Sequence, residues 1–153
     1  MKILILGASY GSLLSTKLLM AGHDVTLICR SKSAALINEE GTEVRIKLRD
    51  EDSHRAFRSH DLAGTLDAVT PADARPEDYD MISLAMQEPQ YSEPQVRDLM
   101  QRIAASRKPC LSIMNMPPLP FLRRIDALAK APLEMCYDDA SVWTDFEPGL
   151  MSL

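Results

Sequence analysis

The sequence predicts an α/β domain: a doubly wound, mostly parallel sheet with helices on both faces. Three observations carry this. Short apolar runs rich in β-favouring residues alternate with segments of helical period. Strand, glycine-rich turn, helix and second strand are complete within the first thirty residues, the length of a βαβ unit. Glycine or proline punctuates the apolar runs, as at Gly7, Gly41 and Pro109.

In chain order, residues 2–6 (KILIL) read as a buried strand stopped by Gly7. Residues 11–21 read as a helix, with Gly22 in the position that closes it. Residues 24–29 (DVTLIC) are a second apolar strand. Residues 33–40 form a short helix ended by Gly41. Residues 42–48 alternate, with Val44, Ile46 and Leu48 on one face and Arg45, Lys47 and Arg49 on the other, so a half-exposed strand is expected. Residues 50–78 are polar and weakly periodic, with short strands expected near 54–58 and 66–70. Residues 79–85 are a further buried strand.

Pro89 and Pro94 bracket a turn. Val96, Leu99, Met100, Ile103 and Ala104 then follow helical spacing. Residues 110–114 are a strand, and MPPLP is a stiff loop. Phe121, Leu122, Ile125, Leu128 and Ala129 predict one more amphipathic helix. Residues 133–137 (LEMCY) read as a last core strand, with an extended tail to Leu153. The expected strand order begins 3-2-1-4-5.

The chain has 153 residues, 46% hydrophobic and 25% charged, which fits one globular domain and excludes a disordered or collagen-like chain. Its net charge of −5 argues against a broad nucleic-acid footprint. No apolar run reaches membrane-spanning length, and no targeting segment is visible. Cys29, Cys110 and Cys136 have no CxxC spacing, so buried reduced thiols in a cytoplasmic protein are expected.

The chemistry concentrates in Gly7-Ala8-Ser9-Tyr10-Gly11, between the first strand and the first helix. Literally this is G-x-S-x-G, the elbow that presents a nucleophilic serine in α/β-hydrolases. That reading requires a later histidine. The three histidines are His23, His54 and His60, and none follows residue 60. The turn also reads as a shortened dinucleotide fingerprint. Backbone N–H groups at a helix N-terminus attract an anion, and glycines allow close approach of a pyrophosphate. At the end of the second strand, where NAD binders carry an acid, this chain has Arg30, with Lys32 nearby. A guanidinium suits a 2′-phosphate.

Other clusters carry less. His54 and His60 with Asp50, Asp52 and Asp61 match no common metal-ligand spacing, so no metal is expected. Arg45, Lys47, Arg49, Arg55 and Arg58 lack interleaved aromatics and read as a charged exposed edge. Asp138 and Asp139 point opposite ways on an extended chain. Met81, Met86, Met114, Met116 and Met135 read as core and pocket filling.

MKILILGASYGSLLSTKLLMAGHDVTLICR resembles the N-terminal segment of the ketopantoate reductase (2-dehydropantoate 2-reductase) family. AGHDVTLICR carries the family's AGHxVxLxxR run. YDMISLAMQEPQ falls where the family has a strand and a Lys-x-x-Gln element. CLSIMNMPPL falls where it has a strand ending in Gln-Asn-Gly, and FEPGLMS resembles its Pro-Gly segment.

The resemblance implies a Rossmann domain of an oxidoreductase that binds NADP(H). Full-length members reduce ketopantoate, or a related 2-keto acid, by hydride transfer. Carried over, Gly7, Ala8, Ser9, Tyr10 and Gly11 hold the pyrophosphate. Arg30 holds the 2′-phosphate, with Lys32 adding charge. Met86 and Gln90 line the cofactor, Gln90 matching the family glutamine. Asn115 matches the asparagine beside nicotinamide and substrate. Three positions depart from the pattern: Gln87 replaces the lysine, Met116 replaces the glycine after the asparagine, and Ser9 replaces the middle fingerprint glycine.

The expectation is a single cofactor domain over 1–153, with the family's helical C-terminal domain and its general-acid lysine absent. Alone, this chain is then catalytically incomplete. The alternative is a non-catalytic nucleotide-binding module, a sensor or carrier. The expected partner is a small 2-keto acid or related carbonyl substrate, with no nucleic acid and no membrane. Apolar surface meant for a second domain would favour a homodimer.

Overall fold

A computed structural model describes residues 1–153. Six parallel strands form the main sheet: β1 (Lys2–Leu6), β2 (Asp24–Ile28), β5 (Leu66–Val69), β6 (Met81–Leu84), β7 (Cys110–Ser112) and β8 (Met151–Ser152). Their order is β5-β2-β1-β6-β7-β8. Counting main-sheet strands alone, this is 3-2-1-4-5-6, the doubly wound arrangement expected from the sequence. A separate antiparallel ribbon joins β3 (Glu43–Lys47) to β4 (His54–Arg58). The basic run lies on this ribbon, where Arg45 and Arg58 both pair with Glu43. It is therefore not an edge of the main sheet.

Alternation along β1 divides the core. Ile3 and Ile5 face α1 (Ala8–Met20) and α2 (Ser31–Glu40), together with Val25, Leu27 and Ala68. Leu4 and Leu6 face the other way, toward α3 (Pro94–Ser106), whose Val96, Leu99, Met100 and Ile103 are buried as their spacing requires. Ile3 to Leu6 of β1 are buried because both faces carry helices. At the far edge, Asn38 of α2 takes the place of a neighbouring strand. Its amide donates to the Ala68 carbonyl at 2.8 Å and accepts the Ala68 N–H at 2.7 Å. The outer strand thus has one residue less of unpaired backbone.

Five expectations need correction. The first helix starts at Ala8, not Gly11, so Ser9 and Tyr10 belong to its first turn. The helix expected over 121–129 is a single turn, α4 (Leu119–Leu122), followed by a 3-10 turn at Asp126–Leu128. Residues 133–137 are no strand: Leu133–Cys136 is a 3-10 turn, and Met135 is 84% exposed. Leu133 and Tyr137 are the buried residues there, four apart, so the segment follows a helical rather than a two-residue period. The tail to Leu153 is likewise mostly turns, with only β8 extended. Finally, only Cys110 is buried; Cys29 is half-buried and Cys136 exposed.

Candidate functional site

The carboxyl ends of β5, β2, β1 and β6 meet at one cleft of about 910 Å³, within the range of small-molecule and cofactor sites. Backbone hydrogen bonds continue the ladder past the strands and align the four ends. The Gly7 N–H donates to the Ile28 carbonyl, the Cys29 N–H to Val69, and the Ala85 N–H to Leu6. This is the edge of an open α/β sheet at which ligands bind.

Gly7 makes the turn possible. Its φ is 107°, and a Cβ there would lie 2.5 Å from the Ala85 carbonyl oxygen. No side chain fits between these backbones. Gly11 plays a different part. A Cβ there would lie 2.6 Å from Ile5 Cγ2, so the missing side chain lets α1 settle on β1. Gly11 is buried beneath the helix and does not line the cleft.

With Gly7 as its N-cap, α1 directs its first turn at the cleft. No side chain caps that end, and the first turn carries no acid. The first N–H groups of the helix have no intrahelical acceptor and carry its positive end. α2 begins beside it under the same conditions: Arg30 is its N-cap, with no capping side chain and no acid in the first turn. Ser31 and Ser33 of that turn line the cleft. Arg30 itself lines the cleft and is exposed, and no carboxylate lies within ion-pair distance of it. Beside it burial raises the Cys29 thiol above its ordinary value, so a neutral thiol faces the site.

The opposite wall is the connection from β6 to α3. Its anchor is Tyr91, 1% exposed, whose hydroxyl accepts the Met86 backbone N–H at 3.1 Å. Gln87 and Gln90 close a reciprocal capping box around the 3-10 turn Glu88–Ser92. The Gln87 side chain also reaches across to α1, where its Nε2 donates to Tyr10 Oη at 2.9 Å. A third wall is the loop after β5. Arg102 of α3 donates to the Pro71 carbonyl at 2.6 Å and also to the Ala74 carbonyl. These bonds brace a loop that has no regular structure.

Among the sequence-predicted residues, the structure brings Gly7, Ala8, Ser9, Tyr10, Arg30, Met86 and Gln90 to one cleft. Lys32, although exposed on the first turn of α2, is not in its lining. Asn115 lies exposed after β7, at the same edge of the sheet but outside the lining. None of the three histidines reaches the cleft, so Ser9 has no imidazole partner for the hydrolase arrangement. Sequence reasoning missed Thr70, Pro71 and Ala72. The expected order 3-2-1 did not point to them, because the third strand read from the sequence, 42–48, lies in the separate ribbon and β5 takes its place beside β2. It also missed Glu93 and Gln95 at the start of α3.

Fold and site together define a doubly wound, Rossmann-type α/β domain with an anion-ready helix N-terminus at its switch point. The family model for ketopantoate reductase PanE/ApbA matches residues 3–115, and the chain belongs to that family. No curated protein matches the chain. A putative ketopantoate reductase from Ralstonia solanacearum is similar in structure, with a TM-score of 0.64 at 16% identity over 97% of this chain. The 2-dehydropantoate 2-reductase from Methylococcus capsulatus is similar over 86%, with a TM-score of 0.52 at 16% identity. These likenesses concern the fold. The chain spans 42% and 38% of the length of the two.

Proposed function

We propose that this chain binds NADP(H) and forms the cofactor half of a ketopantoate-reductase-like oxidoreductase. One observation carries the reading: the uncapped N-terminus of α1 and the unpaired Arg30 line the same cleft. The first suits a pyrophosphate, and the second a 2′-phosphate. The donor set fits the group: two helix N-termini, one guanidinium and no acid in either first turn. When bound, the cofactor supplies hydride for reduction of a carbonyl. The chain's own residues orient it. Gly7 lets the turn approach closely, Arg30 selects the phosphorylated ribose, and Met86 with Gln90 forms the wall beyond.

In this reading, the substrate is a 2-keto acid or a related carbonyl compound. The groups that hold it and deliver a proton lie in a second, helical domain. The protein is cytoplasmic, engages neither nucleic acid nor membrane, and can pair through the surface that a second domain would cover. No helix is long and apolar enough to cross a membrane. A non-catalytic nucleotide-binding module is the second reading, favoured by Asn115 standing outside the cleft.

Calorimetric titration with NADPH and NADH tests the reading. NADPH binds more tightly, and Arg30→Ala lowers its affinity toward that of NADH. A charge-assisted hydrogen bond contributes about 1.5–3 kcal/mol, so the loss is roughly tenfold to a hundredfold. Equal affinity for both nucleotides before and after the substitution would remove Arg30 from the site. NADPH oxidation with 2-keto acids by a longer form separates the enzyme from the module.

A further inference from the structure

We propose that Tyr10 holds the nicotinamide end of the cofactor through a phenolic proton that Gln87 leaves unused. The inference rests on the NADP(H) reading above and deepens it. Arg30 follows β2, and Gln87 follows β6; these strands lie on opposite sides of β1. A dinucleotide with its 2′-phosphate at Arg30 and its pyrophosphate at the first turn of α1 extends its other half toward β6. Tyr10 and Gln87 meet at that end.

The polarity of their hydrogen bond follows from the capping box. A glutamine amide offers a donor end and an acceptor end, and only its network says which faces where. The Gln90 backbone N–H donates to the Gln87 main-chain carbonyl at 3.0 Å and also faces the Gln87 side chain across the capping box, which puts the amide oxygen on that side. In return Gln90 Oε1 accepts the Gln87 backbone N–H at 3.0 Å, which fixes the turn. The Gln87 amide nitrogen is therefore the end that faces Tyr10, and it donates to Oη at 2.9 Å. Tyr10 is the acceptor in that bond, and its own O–H has no acceptor within the protein.

Tyr10 is also 54% exposed and lines the cleft. The side chain thus presents a flat apolar ring and an oriented donor. Nicotinamide riboside matches both, with a planar ring and acceptor oxygens on its carboxamide and ribose. Gln87 is a positioning residue that acts through Tyr10.

The test compares two ligands on the same chain by calorimetry. NADPH carries the nicotinamide riboside; adenosine 2′,5′-bisphosphate carries only the Arg30 end. Tyr10→Phe weakens NADPH about threefold to tenfold and leaves the bisphosphate unchanged. Gln87→Glu keeps an acceptor for Gln90 but turns a second acceptor toward Tyr10, which then donates to it. NADPH weakens again, beyond any loss that the added charge produces with the bisphosphate. In a Tyr10→Phe background, Gln87→Glu costs NADPH no more than it costs the bisphosphate. A purely structural role for the pair would weaken both ligands in parallel.

Parallel losses, or an NADPH affinity indifferent to Tyr10→Phe, would overturn the inference while the cofactor reading stands. A wild-type chain that binds the bisphosphate but not NADPH would overturn the cofactor reading itself and this inference with it. Binding of neither ligand would overturn the cofactor reading and this inference with it.

Discussion

On the face of the sheet covered by α1 and α2, small residues stand among the aliphatic ones and let the helices come close. Gly11 lies on Ile5, and Ala34, Ala68 and Ala85 fill the layer. On the face covered by α3, contact is made by large ones. Trp143 packs against Tyr91, Tyr137 and Phe146, with ring centroids 5.5, 6.3 and 5.6 Å away. The first arrangement brings a helix close enough to aim its N-terminus over the strand ends, and that is where the site lies. The second lets side chains hold a segment whose backbone makes little regular structure. Residues 115–150 contain one helical turn and several 3-10 turns, and the aromatic cluster fixes them to α3. Closeness of backbone serves the cleft, while volume of side chain serves the scaffold.

The largest effect expected from this contrast is at Trp143. Trp143→Ala removes the ring shared by three aromatic neighbours and costs about 3–5 kcal/mol in denaturant unfolding. Trp143→Phe costs much less, because the buried indole N–H has no acceptor to lose. If Trp143→Ala cost under about 1 kcal/mol, the aromatic face would not be what holds the C-terminal segment.

Next comes Gly11→Ala, whose new methyl would meet Ile5 Cγ2. Overpacking of this kind costs about 1–3 kcal/mol. The double variant with Ile5→Ala should lose less than the sum of the two single losses, because one change makes room for the other. Strict additivity, read from the same unfolding curves, would mean that the two do not touch.

The smallest effect at neutral pH is alkaline sensitivity, and it separates the faces differently. Burial pushes the Cys110 thiol from 9.0 up to about 12 and the Tyr137 phenol from 10.0 up to about 12, while Tyr91 is raised as well. A group whose pKa is raised by folding contributes fully below its unfolded value and loses that contribution as pH rises toward the folded one. For Cys110 the window runs from pH 9.0 to about 12. Stability should therefore fall steadily across that range. Cys110→Ala should flatten the early part of the fall, whatever it costs at pH 7. An unchanged slope in a pH series of unfolding curves would exclude the buried thiol as the cause.

At low pH, the Ser141 hydroxyl and backbone N–H, then Arg97, hold the Asp139 carboxyl below its ordinary 3.8. Its contribution is present above that value and fades as pH falls through the lowered one. Asp138, its neighbour, accepts instead from Ser92. The two carboxylates serve separate contacts and do not form a catalytic pair.

Much of the fold was legible because its signals are local. KILIL, DVTLIC and the Val96–Ile103 spacing each report burial within a few residues, and strands or helices formed there. Gly7 and Gly22 marked the ends of elements and adopt the positive φ that favours glycine. Arg30 stood at the end of β2, where a charge faces the sheet edge. The C-terminal segment after β7 resisted because a five-residue run such as LEMCY is compatible with a strand or a turn. Pro132 leads in, Leu133 and Tyr137 find the aromatic layer, and Met135 is left outside. Only the neighbours decide that.

The sequence by itself determined the winding of the sheet, the glycine turn and the positive charge beside it, since each is written in adjacent residues. The tertiary structure decided which other chain segments share the cleft. Arg102 carries the Pro71 loop to it from 31 residues away, and Gln87 meets Tyr10 across 77 residues. Such contacts leave no period in the sequence. They exist because parallel strands from distant parts of the chain end at one edge, where side chains can reach across.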